Sequence, residues 1–210
     1  MGTSSKLTLF HSPNTRSSAT LLLLEELKAD YGLHVVNMKT GAQRGTDYLA
    51  VNPMGKVPAL LHGDALVTEQ VAIFIYLADL YPEAGLAPPI GDPLRGPYLR
   101  WMAFYGSCFE PAVVDRAQKR APAPLAMSPY GDFDTMFKTL TDQLGRGDYL
   151  LGARFSALDI LWGTALTWMT AFKLVEPLPV IQAYTARVNA RPAVAAVKAR
   201  DAALAAAQAK

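Results

Sequence analysis

Of the 210 residues only one is cysteine, Cys108, so the chain cannot close a disulfide within itself and holds no cysteine-rich metal site. That usage fits a reducing compartment. Histidine is nearly as scarce. His11, His34 and His62 stand at non-ligand spacing without a neighbouring acid or thiol, and read as surface or turn residues. Charged residues make up 18% of the chain, the net charge is +2, and no Lys/Arg block is present to follow a phosphate backbone, which excludes nucleic acid as a partner. No glycine-rich run has the spacing of a phosphate loop. Long apolar runs are missing too. The longest, ALDILWGTALTWMTAF at residues 157–172, contains Asp159 and falls short of the roughly 20 residues that span a bilayer; it reads as a buried core helix, so no membrane is expected as partner. The opening MGTSSK is polar, so no secretory leader is expected of it, and Lys6 breaks the myristoylation pattern.

Hydrophobic residues account for 51% of the chain, enough for a real core. The first part alternates. LTLF (7–10) reads as a strand, and TRSSATLLLLEELKAD as a helix over 15–30 with Gly32 as its stop signal. LHVVNM (33–38) reads as a second strand. The polar stretch that follows carries one helical turn near Tyr48, ended by Asn52 and Pro53. PALL (58–61) and ALV (65–67) form a hairpin across His62, Gly63 and Asp64, and residues 69–81 form a helix stopped by Pro82. This is βαβαββα, an α/β domain over residues 1–81. Residues 82–93, PEAGLAPPIGDP, read as an interdomain linker. Residues 94–210 show only helical periodicity, with a break near Pro111, and predict an all-α domain. Within it, FSALDI supplies a capping box: Ser156 and Asp159 can satisfy each other's amides, with Phe155 and Ile160 placed as a hydrophobic staple.

Two stretches carry residues suited to chemistry. FHSPNTRSS places Ser12, Asn14 and Thr15 just ahead of the first helix. Each is a good helix cap, and the same unpaired amides and partial positive charge would favour a ligand thiolate. VNPMGKVPALLHGDALVTEQ (51–70) offers a second set. A cis bond between Val57 and Pro58 would leave the Val57 amide groups open to an extended peptide in strand-like fashion. Glu69 and Gln70, at a helix start, would supply a carboxylate for an ammonium group and an amide for a carboxylate.

The run NPMGKVPALL followed by LVTEQVAIFIYLADLYP, together with SALDI and the closing RVNARPAV, resembles the soluble glutathione S-transferases over nearly the whole chain. The resemblance implies a thioredoxin-like N-terminal domain that binds glutathione as co-substrate without a metal. It also implies a helical C-terminal domain that shapes the pocket for a hydrophobic electrophile, a homodimer, a cytoplasmic location and a detoxifying transferase activity. By the family pattern, Val57 and Pro58 clamp the cysteinyl main chain, Glu69 and Gln70 hold the γ-glutamyl head group, and Gln43 and Lys56 lie near the glycyl end. Ser12 takes the place of the theta- and delta-like catalytic serine, with Asn14 and Thr15 as rivals. Gln70 stands where serine is usual. Arg16 stands where the bacterial beta-like class has its cysteine, which rules out a mixed disulfide through an enzyme thiol there. Tyr98, Trp101, Tyr105 and Phe109 are the expected electrophile wall, with core packing as the competing reading. Glutathione-dependent disulfide or peroxide reduction and a non-catalytic binding module are the alternative functions.

Overall fold

The computed structural model describes residues 6–208; of the polar opening MGTSSK only Lys6 lies among them. The order is β1 (Leu7–His11), α1 (Ser17–Glu26), β2 (Tyr31–Val35), α2 (Thr46–Val51), β3 (Ala59–His62), β4 (Ala65–Val67) and α3 (Gln70–Leu80). Helices follow: α4 (Arg95–Phe104), α5 (Glu110–Ala117), α6 (Phe133–Leu144), α7 (Ala157–Ala171), α8 (Pro179–Asn189) and α9 (Pro192–Ala207). The expected βαβαββα order is present, followed by the helical part.

The strands form one mixed sheet in the order β2-β1-β3-β4. β1 runs parallel to β2, with Leu9 opposite Leu33, and antiparallel to β3, with Leu9 opposite Leu60. As an inner strand covered on both faces, β1 is apolar almost throughout rather than alternating; Leu7, Leu9 and Phe10 are all buried. Leu21, Leu22, Leu23 and Leu24 of α1 are buried on every side because α1 packs against both α3 and α9.

The bounds of α1 and β2 differ from the sequence reading, β2 running over Tyr31–Val35 where 33–38 is expected. α1 is shorter than 15–30. At its start Asn14 has φ +58, which no helix accepts. At its end Lys28 takes φ +53, with its amide on the Glu25 carbonyl (3.1 Å) and that of Ala29 on the Leu24 carbonyl (3.0 Å). This is a Schellman stop on a lysine. Gly32 is no cap; it lies inside β2, paired with Thr8, so β2 begins two residues earlier than 33. The α4–α5 stretch does break, one turn ahead of the proline. Pro111 has no N–H to offer the Ser107 carbonyl, and residues 105–109 re-register as a π-helical turn.

The chain divides into two compact units. One runs to Ala84 and takes in the chain from Arg191 onward; the other is Gly85–Ala190. α9 therefore belongs with the sheet, where a simple cut at residue 94 would put it with the other helices. Much of the expected linker is tied into the helical unit. The Arg154 guanidinium donates to the carbonyls of Gly85 (3.3 Å) and Ala87 (3.2 Å), and the Ala157 amide to that of Leu86 (2.8 Å).

The helical unit is built round Trp162, wholly buried, with Trp101, Tyr105 and Phe109 at ring distances of 6.0, 5.2 and 4.8 Å. Gly163 beside it lets α7 meet α8, since a Cβ there would come within 2.6 Å of Val188. The capping box at the head of α7 forms, and its acid does more than cap. The fully buried Asp159 carboxylate accepts from the Ser156 amide (2.8 Å), the Ser156 hydroxyl (3.1 Å), the Leu150 amide (3.0 Å) and the Tyr184 hydroxyl (2.9 Å). Burial raises its pKa above the ordinary carboxylate value in spite of these four donors.

Ser156→Ala should lower stability by roughly 0.5–2 kcal/mol, the usual cost of losing a cap hydroxyl. Asp159→Ala strands four buried donors on three residues and should cost more, at least about 3 kcal/mol. Urea unfolding of both variants tests the ranking; equal midpoints would show that Asp159 acts only as a cap.

Candidate functional site

The loop between β1 and α1 is held from beneath by side chains. The Ser12 amide donates to Ser17 Oγ (3.1 Å), and the Ser12 carbonyl accepts from Thr15 Oγ1 (2.7 Å) and Ser17 Oγ (3.0 Å). Thr15 Oγ1 also accepts the Ser17 amide (3.2 Å) and touches Ser17 Oγ at 2.7 Å. The Thr15 hydroxyl is thus committed to the loop itself. The Ser12 hydroxyl is engaged by none of the described residues, although the residue is only 3% exposed. Asn14 is exposed in its left-handed conformation, and Arg16 begins the helix.

Three residues that the sequence reading did not single out carry this loop. His11, read as an ordinary turn or surface residue, is fully buried. It joins Ser17 Oγ through Nδ1 (2.9 Å) and the Asp201 carboxylate of α9 through Nε2 (2.9 Å). Asp201 also accepts the Asn14 amide (3.0 Å) and the Ser18 hydroxyl (2.5 Å). Burial pushes the Asp201 pKa up, but the donors from His11, Ser18 and Asn14 outweigh it and the net direction is down. Its contribution to stability is therefore present above the ordinary carboxylate range and lost as pH falls through the lowered pKa. One signal was legible: Asp201 is the sole acid in the alanine-rich stretch 192–210.

The second stretch is shaped as a ledge. Tyr48 Oη (2.5 Å) and Asn52 Nδ2 (2.9 Å) both donate to the Lys56 carbonyl. Gly55, at φ +59, passes so close to the Gln43 carbonyl that a Cβ would stand 2.7 Å from it, which brings Gln43 beside the turn. The Val57–Pro58 peptide is cis. The Val57 side chain packs against the cluster of Phe10, Val36, Tyr48 and Ala59, while among the described residues its amide groups enter neither a strand pairing nor a turn hydrogen bond. Lys56 is exposed. At the head of α3, Glu69 is exposed with φ +61 and ψ 112, a conformation that glycine alone adopts at ease. Gln70 donates Nε2 to the Arg16 carbonyl (2.9 Å), joining the starts of α1 and α3. That bond leaves its Oε1 a buried acceptor, unpartnered among the described residues, as is Gln43 Oε1.

The N-terminal part of the chain thus brings Ser12, Asn14 and Thr15 to one loop, Gln43, Lys56, Val57 and Pro58 to one ledge, and ties Gln70 to the first of these. Tyr98, Trp101, Tyr105 and Phe109 are 0–3% exposed, as the core reading expects, and the last three pack round Trp162. No group of His, Cys, Asp and Glu able to hold a metal is present among the described residues, and no helix there is long and apolar enough to cross a membrane.

Comparison with known proteins follows the same division. Residues 5–79 match the family model "Glutathione S-transferase, N-terminal domain", and residues 111–187 match "Glutathione S-transferase, C-terminal domain". The chain is 32% identical to glutathione S-transferase GstA of Escherichia coli O157:H7 over 189 residues, covering 89% of this chain and 94% of that one. Among solved structures it resembles a glutathione transferase from Methylococcus capsulatus, with 33% identity, a TM-score of 0.78, and coverage of 93% of this chain and 98% of that one. It also resembles a glutathione transferase homolog from Sulfitobacter solved with bound glutathione, with 30% identity, a TM-score of 0.72 and the same coverage.

The Glu69 backbone makes a prediction independent of any ligand. Alanine is ordinarily about 0.5–1 kcal/mol more stable than glycine at a helical site. At φ +61 the order should reverse, with Glu69→Gly more stable than Glu69→Ala by on the order of 1 kcal/mol. Both variants lose the same carboxylate, so the comparison isolates the backbone; a urea midpoint for alanine at or above that for glycine would remove the strain.

Proposed function

This chain belongs to the glutathione S-transferase family, and on that footing we propose that it conjugates the thiolate of glutathione to a small hydrophobic electrophile. The observation that carries the reading is Glu69: an exposed carboxylate held at a helix start in a backbone conformation costing about 1–3 kcal/mol. A ligand ammonium gives that carboxylate a partner.

In this reading glutathione lies extended along the ledge. Its γ-glutamyl ammonium pairs with Glu69, and its γ-glutamyl carboxylate takes the first free amides of α3, beginning at Gln70. The cysteinyl N–H and C=O pair with the open groups of Val57 beside Pro58, as a strand would. The glycyl carboxylate reaches toward Lys56, with Gln43 beside it. The thiol then falls at the loop ahead of α1. The Ser12 hydroxyl, uncommitted to the protein, is the better donor to sulfur than the Thr15 hydroxyl, whose proton the Ser12 carbonyl already takes. Asn14 is the remaining rival. The positive end of α1 adds to the stabilisation of the thiolate.

The thiolate attacks the electrophilic carbon, a carbon–sulfur bond forms, and the leaving group or developing carbanion takes the electron pair. The residues round Trp162 are not needed as an open wall. A homodimer in the cytoplasm, with no nucleic acid or membrane as partner, belongs to the same reading. Glutathione-dependent reduction of a disulfide or peroxide would use the same cradle, and product analysis separates it: a thioether for conjugation, oxidised glutathione for reduction, neither for a binding module.

Calorimetry with glutathione should give a clear binding signal for wild type and a loss of about tenfold or more in affinity for Glu69→Ala, as a hydrogen-bonded charge pair of roughly 1.5–3 kcal/mol implies. Equal affinities would take Glu69 out of the site.

Thiolate absorbance of bound glutathione, followed against pH, tests the donor. Ser12→Ala should raise the bound thiol's pKa by about one to two and slow turnover near neutral pH with affinity largely kept. A rise confined to Asn14→Ala or Thr15→Ala would move the role to that residue, and no rise in any of the three would leave the amides of α1 as the activating groups.

A further inference from the structure

Asp201 lies in the last helix, 190 residues from His11, yet its carboxylate binds three points round the loop ahead of α1. Oδ1 accepts from His11 at the end of β1, and Oδ2 accepts from the Asn14 amide within the loop and from the Ser18 hydroxyl in the first turn of α1. The loop is thus held at its entry, its middle and its exit by one side chain that is itself only 4% exposed. The hold continues inward. His11 meets the carboxylate through Nε2 and Ser17 Oγ through Nδ1, and Ser17 Oγ in turn accepts the Ser12 amide and donates to the Ser12 carbonyl. Every step is a buried hydrogen bond of 2.9–3.1 Å.

None of these groups is free to act on a ligand. Ser17 and His11 are fully buried, and both carboxylate oxygens of Asp201 are occupied. What the chain of bonds controls is the placement of the Ser12 main chain and of Asn14, which takes its left-handed conformation with its amide on Asp201.

We propose that Asp201 is a positioning residue for thiol activation: it holds the loop of Ser12 and Asn14 at the height from which that loop meets the glutathione sulfur, and so sets the acidity of the bound thiol. The inference rests on the reading of the loop given under Proposed function. A hydrogen bond to sulfur depends steeply on distance and angle, so a shift of the loop by a fraction of an ångström weakens it. An asparagine at 201 keeps the shape but loses the charge and presents an N–H where an acceptor oxygen stood, so either His11 takes the other tautomer and its bond to Ser17 reverses, or one of the three donors moves away.

The test is the pH titration of bound glutathione by thiolate absorbance, with steady-state kinetics, in wild type, Asp201→Asn and Ser18→Ala. Asp201→Asn should raise the bound thiol's pKa by about one and lower kcat near neutral pH about tenfold, with KM for glutathione changed less than about threefold. Ser18→Ala removes only the 2.5 Å bond and should shift both in the same direction by less; it also carries the test if Asp201→Asn fails to fold. A purely structural role would lower the melting temperature of the variants and leave the thiol pKa of the folded fraction at the wild-type value, and that result overturns the inference. Wild-type glutathione titrating like the free thiol would overturn the parent reading of the loop, and this inference with it.

Discussion

A carboxylate taken out of water must be given donors, and the sheet-bearing unit is organised round one that is. Asp201 receives a ring nitrogen from β1, an amide from the following loop and a hydroxyl from α1. The penalty for burying a charge is large unless it is paired and hydrogen-bonded, so these donors cannot drift from the carboxylate without cost. The end of β1, the start of α1 and the middle of α9 are held in mutual register as a result. The loop between the first two is the one that the proposed function turns toward the glutathione thiol, and a side chain of α9 is bonded at its entry, middle and exit.

The helical unit repeats the device with Asp159, and the two acids differ in an instructive way. Asp159 sits among neutral donors only, and burial raises its pKa. Asp201 has a histidine ring against it as well as an amide and a hydroxyl, and there the donors win and the pKa falls. The first acid ties a helix start to the Leu150 amide and Tyr184 of α8. The second ties a helix middle to a loop. In both, one carboxylate replaces several separate contacts, which is economical in a chain with so few charged residues.

The proposed function draws on places where the local rules are broken. Glu69 adopts a conformation suited to glycine, Asn14 a left-handed one, and Val57 keeps amide groups outside the sheet beside a cis proline. Lys28 is left-handed too, but as a helix stop, which the Schellman bonds explain. Lys119 and Lys173 are helix stops with the same bonds. Asn14, Glu69 and Val57 fall instead in the two stretches, 10–18 and 51–70, on which the proposed function rests.

By itself the sequence determined the order of the elements and the capping box of Ser156 and Asp159, and it pointed to residues 51–70 as a candidate site. All of these are written in spacings of a few residues, where periodicity, a cap or a turn leaves a local trace. It misplaced the end of α1, because a left-handed lysine carries no compositional mark while Gly32 carries a misleading one. It left open whether Tyr98, Trp101, Tyr105 and Phe109 were wall or core, since an aromatic at helical spacing looks the same in either setting. Only the tertiary structure decided that all four are buried, three of them round Trp162, that α9 belongs with the sheet, and that His11, Ser17 and Asp201 support the loop. Those facts depend on contacts between residues up to 190 positions apart, and no local pattern encodes which distant donor a buried acid will meet.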